Sequence, residues 1–225
     1  ALAMGDYWYG GRTKNPWNLK YGSSGSSAGS TSATVAGLVP FAIGTETWGS
    51  IVSPSTTCGA TGLRPTFGTI SRSGAMALSY SLDKVGPICR SAADAAVVFN
   101  YLHGTDGKDL SAVNMPFNYD AVKPIKNYKI AYAKNYFDKI KDTTRAEWVA
   151  LKSFEKMGVT LIPVNFPDSG VYKFNIMDVI IGVECAAQFD EMTRLNIDDA
   201  LTRQTKYDWP NQFRTARFVP AVEYI

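Results

Sequence analysis

The chain has 225 residues, 45% apolar, 12% aromatic and 19% charged, a composition that excludes a disordered polymer, which is poorer in aromatics and aliphatics. Lysines and arginines number 23 against 20 acids, a net charge of +3, and they are interleaved with the acids, so nucleic acid is not an expected direct partner. At roughly 150 residues per domain the length fits one large domain or a piece of one, able to bury about 70% of its unfolded surface without disulfides.

Residues 1–21 are rich in Gly, Tyr, Trp and Asn-Pro and read as an ordered loop. Residues 22–37, GSSGSSAGSTSATVAG, have the composition of a flexible linker. Their context argues for burial instead. Only about 20 residues precede the run, and it passes straight into Leu38–Gly44, which reads as a buried strand. Ser30 is placed to cap a short helix over Thr31–Gly37, and small residues there let backbone pack on backbone. Thr45–Pro54 is a polar turn, and Leu82–Arg90 reads as loop and strand.

Ser91-Ala-Ala-Asp94 is a capping-box variant that opens a helix running to about Leu102. The single histidine, His103, follows at the helix end, where an imidazole more often complements the helix dipole than catalyses. A Ser-His-Asp hydrolase and a His-ligated metal enzyme are therefore disfavoured. Cys58, Cys89 and Cys185 are far apart and odd in number, which fits neither a disulfide framework nor a zinc site. They read as small buried hydrophobes and fit a reducing compartment, so a cytoplasmic location is expected. No metal and no cofactor are expected.

Tyr128–Ala133 is a strand of alternating character, and Asp142 begins a helix to about Met157 with Trp148, Leu151 and Phe154 on one side. Gly158 ends that helix, Val159–Val164 is a further strand, and Asn175 to about Asn196 reads as one long helix. Strands alternating with helices point to an α/β sheet covered on both faces. No stretch reaches 18 consecutive apolar residues, so no membrane span is expected. The start lacks an initiator methionine and the end, Val-Pro-Ala-Val-Glu-Tyr-Ile225, stops in mid-pattern, so both ends read as cut from a longer protein.

Hydroxyls and glycines concentrate between Ser23 and Ser55, and a nucleophile is sought there. A serine needs a base and oxyanion donors. Gly49 before Ser50 lets the backbone approach a carbonyl and offers successive N–H groups. With histidine nearly absent, the base is a lysine or a carboxylate; the bland alternative is that the hydroxyls merely satisfy backbone groups.

The blocks Gly25-Ser-Ser-Ala-Gly-Ser30, Val35-Ala-Gly-Leu-Val-Pro40, Gly44-Thr-Glu-Thr-Trp-Gly-Ser50-Ile, Cys58-Gly, Gly62-Leu-Arg-Pro-Thr66, Ser81-Leu-Asp-Lys-Val-Gly-Pro87 and the Ser91 helix together resemble the amidase signature family. The likeness is dense from Asn15 to about Leu102 and thinner afterwards. It implies an α/β fold with a mixed, mostly parallel sheet covered by helices on both faces, incomplete at both ends. The expected organisation is one domain over 1–225, with a signature core at about 15–102 and a scaffold and substrate-access region at about 120–225.

The resemblance also implies a Ser-cis-Ser-Lys triad. Carried over, the nucleophile is Ser50 and the bridging serine, on a cis peptide after Gly25, is Ser26. Their separation, 50 minus 26 or 24 residues, matches the family spacing, whereas a one-block shift selects Ser23. The backbone N–H groups of Thr47, Trp48, Gly49 and Ser50 would form the oxyanion hole. The catalytic lysine belongs several tens of residues upstream of Ser26, a position this chain does not contain, and Lys14 and Lys20 are too near to fill it.

Three departures stand out. Trp48 replaces a glycine and would line the acyl pocket as a substrate-binding residue. Val52 replaces an arginine and Glu46 an aspartate, so the ion pair those residues form in relatives is expected to be missing. The resemblance implies an amidase that cleaves the carboxamide C–N bond of a small linear amide through a serine acyl-enzyme. Two alternatives stay open: the A subunit of a glutamine-dependent, tRNA-linked amidotransferase, and a non-catalytic binding or structural remnant. A homo-oligomer is also left open.

Overall fold

The computed structural model describes residues 5–126, 128–167, 169 and 175–225, so the first four residues of the expected N-terminal loop lie outside it. Where the sequence reads as one domain, packing divides the chain into two compact units, Ala1–Asn118 with Met177–Ile225, and Tyr119–Ile176.

In the larger unit the N-terminal stretch, expected as a loop, forms two short antiparallel hairpins, β1 (Tyr7–Trp8) with β2 (Gly11–Arg12) and β3 (Lys14–Asn15) with β4 (Asn18–Gly22). The Gly/Ser run is no tether. It forms helix α1 (Ala28–Val35), whose Ala28, Thr31 and Thr34 are buried. Helix α1 starts three residues earlier than expected, and Ser30 is not its cap: the Ser30 hydroxyl donates to the Ile43 carbonyl at 2.8 Å, fixing helix to strand. Small residues are needed at this seam. A Cβ on Gly44 would lie 2.8 Å from Ile88 and 2.9 Å from the Ser27 hydroxyl.

The predicted strand Leu38–Gly44 is displaced. Residues 38–41 turn instead, with Leu38 78% exposed, and Arg90 holds the turn by donating to the carbonyls of Thr34 and Val39. Strand β5 occupies Ala42–Glu46. It pairs antiparallel with β7 (Lys84–Cys89), which pairs antiparallel with β6 (Thr61–Gly62), in the order β5-β7-β6. Helix α2 (Val52–Cys58) lies between β5 and β6 in sequence, and α3 (Ala92–Leu102) follows β7. Ile51, Ile88, Cys58 and Cys89 are almost fully enclosed and form the core with Ile70, Ala95 and Phe99. Burying each isoleucine contributes about 1.5–3 kcal/mol.

The Ser91 capping reading holds: its hydroxyl oxygen accepts from the Asp94 N–H at 3.1 Å, and α3 ends at Leu102 with His103 as its C-cap. The His103 ring meets the Asn100 carbonyl and stacks on Phe99. The long helix expected over 175–196 is broken into α6 (Ile176–Gln188) and α7 (Asp190–Arg194). Phe189 leaves the helical region there (φ −108°, ψ 23°), and its ring stacks on Phe213 at 4.8 Å. Phe213 lies on α8 (Trp209–Ala216).

In the smaller unit β8 (Lys129–Ala133), followed by the short helix α4 (Lys134–Phe137), and β9 (Thr160–Val164) form a parallel pair. A parallel pair needs a crossover, and α5 (Ala146–Lys156) supplies it, burying Leu151. The helix starts four residues later than Asp142. The class is α/β, with small sheets. Among the named strands β8 and β9 pair in parallel, whereas β1 with β2, β3 with β4, and β5, β7 and β6 pair in antiparallel sense.

Candidate active site

The site is built on the connection from β5 to α2. Helix α2 has no side-chain cap of its own. Glu46, the last residue of β5 and almost wholly buried, supplies one: a single carboxylate oxygen accepts from the N–H groups of Ile51 and Val52 at 2.8 and 2.9 Å. The other oxygen is 3.4 Å from Arg64. The carboxylate therefore meets a cation from the Gly62–Thr66 block, not one at position 52, where the expectation placed the lost partner. This stitches strand to helix across residues 47–50 and leaves that turn little freedom. Gly49 takes φ +101°, a region glycine adopts without strain.

The second strip, residues 23–27, lies against the first. The peptide bond Gly25–Ser26 is cis, at the position the resemblance implied. Gly25 admits no side chain, since a Cβ would fall 1.8 Å from the Gly5 carbonyl oxygen. The Ser27 N–H donates to the Ser50 carbonyl at 3.0 Å. The Ser27 hydroxyl bridges Thr45, donating to its carbonyl and accepting from its N–H. The Ser24 and Ser53 hydroxyls share a 2.7 Å hydrogen bond. Much of the hydroxyl-rich run thus satisfies backbone and neighbouring hydroxyls, as the bland alternative held, while Ser26 and Ser50 share a cavity.

That cavity has a volume of about 610 Å³. Ser26, Thr45, Thr47, Ser50, Asp83 and Lys84 form its polar side. Met76, Leu78, Phe189, Met192, Trp209 and Phe213 form a more extensive apolar side. Of the residues singled out in the sequence, Ser26, Thr47 and Ser50 line it, and Ser50 is buried. Trp48 and Gly49 are not among the lining residues, and Trp48 is 39% exposed. Ser23 is fully buried, with its hydroxyl donating to the Ser24 carbonyl, and is absent from the cavity.

Sequence reasoning missed two contributors. One is the Asp83-Lys84 pair at the start of β7. Asp83 accepts from the Thr47 hydroxyl at 2.5 Å through one oxygen and from the N–H groups of Leu78 and Ser79 through the other. Lys84 donates from Nζ to the Thr47 carbonyl at 3.2 Å and to the Leu82 carbonyl. Burial pulls the Lys84 ammonium below its ordinary pKa, with Glu46 acting in the opposite sense. A lysine in a block already singled out was the available signal.

The other contributor is the segment from α6 to α8, which the sequence pattern marks only as scaffold. It brings the aromatic wall and also Glu184, a buried carboxylate that accepts from the hydroxyls of Ser79, Ser81 and Tyr224 and from the Ser81 N–H. Burial raises the Glu184 pKa, but these donors outweigh it and the net shift is downward. Arg72, also at the cavity, is engaged with Asp109, Ser111 and the Tyr80 carbonyl, and holds Asp109 well below the usual carboxylate range. Among the described residues no cluster of His, Cys, Asp or Glu is arranged to hold a metal ion. No helix among them is long and apolar enough to cross a membrane.

Two serines distant in sequence, Ser26 and Ser50, thus line one cavity of an α/β fold. The amidase family profile matches residues 3–223, and the chain belongs to that family. It is 41% identical over 164 residues to the A subunit of glutamyl-tRNA(Gln) amidotransferase from Coxiella burnetii, covering 71% of this chain and 34% of that one. The chain therefore spans about a third of the length of the curated relatives it matches. Peptide amidase of Stenotrophomonas maltophilia superposes with a TM-score of 0.80 at 27% identity, covering 98% of this chain and 50% of that one. The corresponding amidotransferase chain of Thermotoga maritima gives 0.71 at 31% identity, covering 83% and 43%.

Proposed function

We propose that the protein is an amidase in which Ser50 attacks the carbonyl carbon of a carboxamide. Ser26 passes the Ser50 proton to a base and returns it to the leaving amine, and water then cleaves the acyl-enzyme. The base called for by the resemblance is a lysine upstream of this segment in the whole protein. Oxyanion donors would come from the N–H groups of Thr47, Trp48, Gly49 and Ser50, held by the Glu46 bridge. The observation that carries the reading is that Ser26 and Ser50, distant in sequence, line one cavity in a member of the amidase family.

The apolar wall favours a small amide with a bulky apolar or aromatic group, since polar groups there would lose water without finding partners. No cofactor enters the scheme. The three buried free thiols fit a reducing compartment, the cytoplasm.

The test is amine release by the full gene product from a panel of aryl- and alkyl-substituted carboxamides. Loss of release in Ser50→Ala supports the reading, and unchanged release overturns it. A second reading, the glutamine-using component of a tRNA-linked amidotransferase, is favoured by the identity with the Coxiella burnetii protein. Co-purification with partner proteins and glutamine-dependent ammonia release would support it. A folded protein inert in both assays would be a non-catalytic remnant.

A further inference from the structure

Lys84 is a half-buried cation at the cavity with no carboxylate at ion-pair distance among the described residues. Both of its hydrogen bonds go to backbone carbonyls, those of Thr47 and Leu82. The Thr47 carbonyl belongs to the same peptide unit as the Trp48 N–H. A cation on a peptide oxygen draws electron density from the nitrogen and makes the N–H a stronger donor. The neighbouring residue, Asp83, holds the Thr47 hydroxyl. Thr47 is therefore gripped by side chain and by backbone from two consecutive residues, Asp83 and Lys84.

We infer that Lys84, as a cation, is a positioning residue for the reaction at Ser50: its ammonium fixes and polarises the Thr47–Trp48 peptide so that the turn binds the oxyanion. The inference rests on the amidase reading above. It assigns Lys84 no contact with substrate and no part in proton transfer. The charged groups acting on Lys84 are Glu46, opposite it in the β5–β7 register, its neighbour Asp83, and Arg64 and Arg72. The acids favour the ammonium, while the arginines and burial disfavour it. Reactivity that needs the cation falls as pH rises through the lowered lysine pKa.

The experiment measures the rate of Ser50 modification by an alkyl fluorophosphonate across pH in the full gene product, with Lys84→Met and Lys84→Arg. Removing an oxyanion donor outright costs about 10²–10³ in rate, and weakening one donor should cost roughly tenfold. The expected result is a roughly tenfold slower Lys84→Met, a Lys84→Arg close to wild type, and an alkaline fall in the wild type that Lys84→Met lacks and Lys84→Arg moves upward. Lys84→Met labelling at the wild-type rate overturns the inference. So does an unchanged alkaline limb in a slowed Lys84→Met, which would mark a merely structural role. A rate that rises with pH together with an inert Lys84→Arg also overturns it, because arginine stays charged and only a proton acceptor behaves so. Should Lys84→Met fail to fold, the wild-type limb and Lys84→Arg decide. Absence of any Ser50 adduct in the folded wild type removes the amidase reading and the inference with it, an outcome distinct from equal labelling of the variants.

Discussion

The two walls of the cavity differ in how they are made. Most of the polar wall comes from short-range sequence: Ser26, Thr45, Thr47 and Ser50 lie within 25 residues, on two strips joined by backbone hydrogen bonds, and Asp83 and Lys84 join them from the start of β7. The aromatic part of the apolar wall is assembled from far away, with Phe189, Met192, Trp209 and Phe213 more than 130 residues beyond Ser50 in numbering, while Met76 and Leu78 come from nearer. The contrast separates two jobs. The polar strips leave no room for change, as the Gly25 and Gly44 contacts show. The aromatic wall is held by ring stacking, which tolerates volume-conserving exchange and can set which amide fits.

Variants can break this contrast, and the largest effect is expected on the aromatic side. Phe213 is 3% exposed and stacks on both Phe189 and Trp209. Phe213→Ala should destabilise the fold by about 3–5 kcal/mol, read by denaturant melting, whereas Phe213→Leu should recover most of the loss. On the polar side, Glu46→Ala strips the partner from the buried Ile51 N–H and the part-buried Val52 N–H at the start of α2 and should cost about 2–3 kcal/mol. Arg64→Ala at the same pair should cost under about 1 kcal/mol, because the Arg64 side chain is half exposed. A loss for Arg64→Ala equal to that for Glu46→Ala would mean that the ion pair, not the backbone capping, matters.

Glu184 ties helix α6 to the Ser79 and Ser81 hydroxyls, and its contribution has a defined sign with pH. Its folded pKa is depressed, so its stabilisation is complete above the ordinary glutamate value near about 4.3 and is lost as pH falls through the folded value. Melting temperature should drop more steeply below about pH 4.3 in the wild type than in Glu184→Gln. Parallel curves would remove Glu184 from the acid response. The smallest effect is expected at Trp48, exposed and outside the cavity lining. Trp48→Ala should change stability by no more than about 1 kcal/mol and leave substrate preference unaltered, as read by melting and by relative rates across the carboxamide panel.

How much was legible followed from how local the cause is. The Ser91 cap and the end of α3 depend on residues three or four apart, and both were read correctly. The exposure of Leu38, the Arg64 pairing and the grip of Lys84 on Thr47 depend on which segments meet in space, as does the break at Phe189. Sequence pattern gives no access to those meetings. Leu38 is apolar and adjoins a strand, yet Arg90 takes the carbonyls around it and the pairing begins four residues later. The family blocks led to Ser26 and Ser50 because they are linear; the aromatic wall carries no linear mark.

The proposed amidase function requires Ser50 to be an activated serine in the cavity it shares with Ser26. The most direct test is to locate the adduct after fluorophosphonate treatment of the full gene product by peptide mass spectrometry. The account predicts a single modified peptide carrying the label on Ser50, lost in Ser50→Ala and strongly reduced in Ser26→Ala. A label on Ser23 or Ser26, or an unlabelled but folded protein, would contradict it.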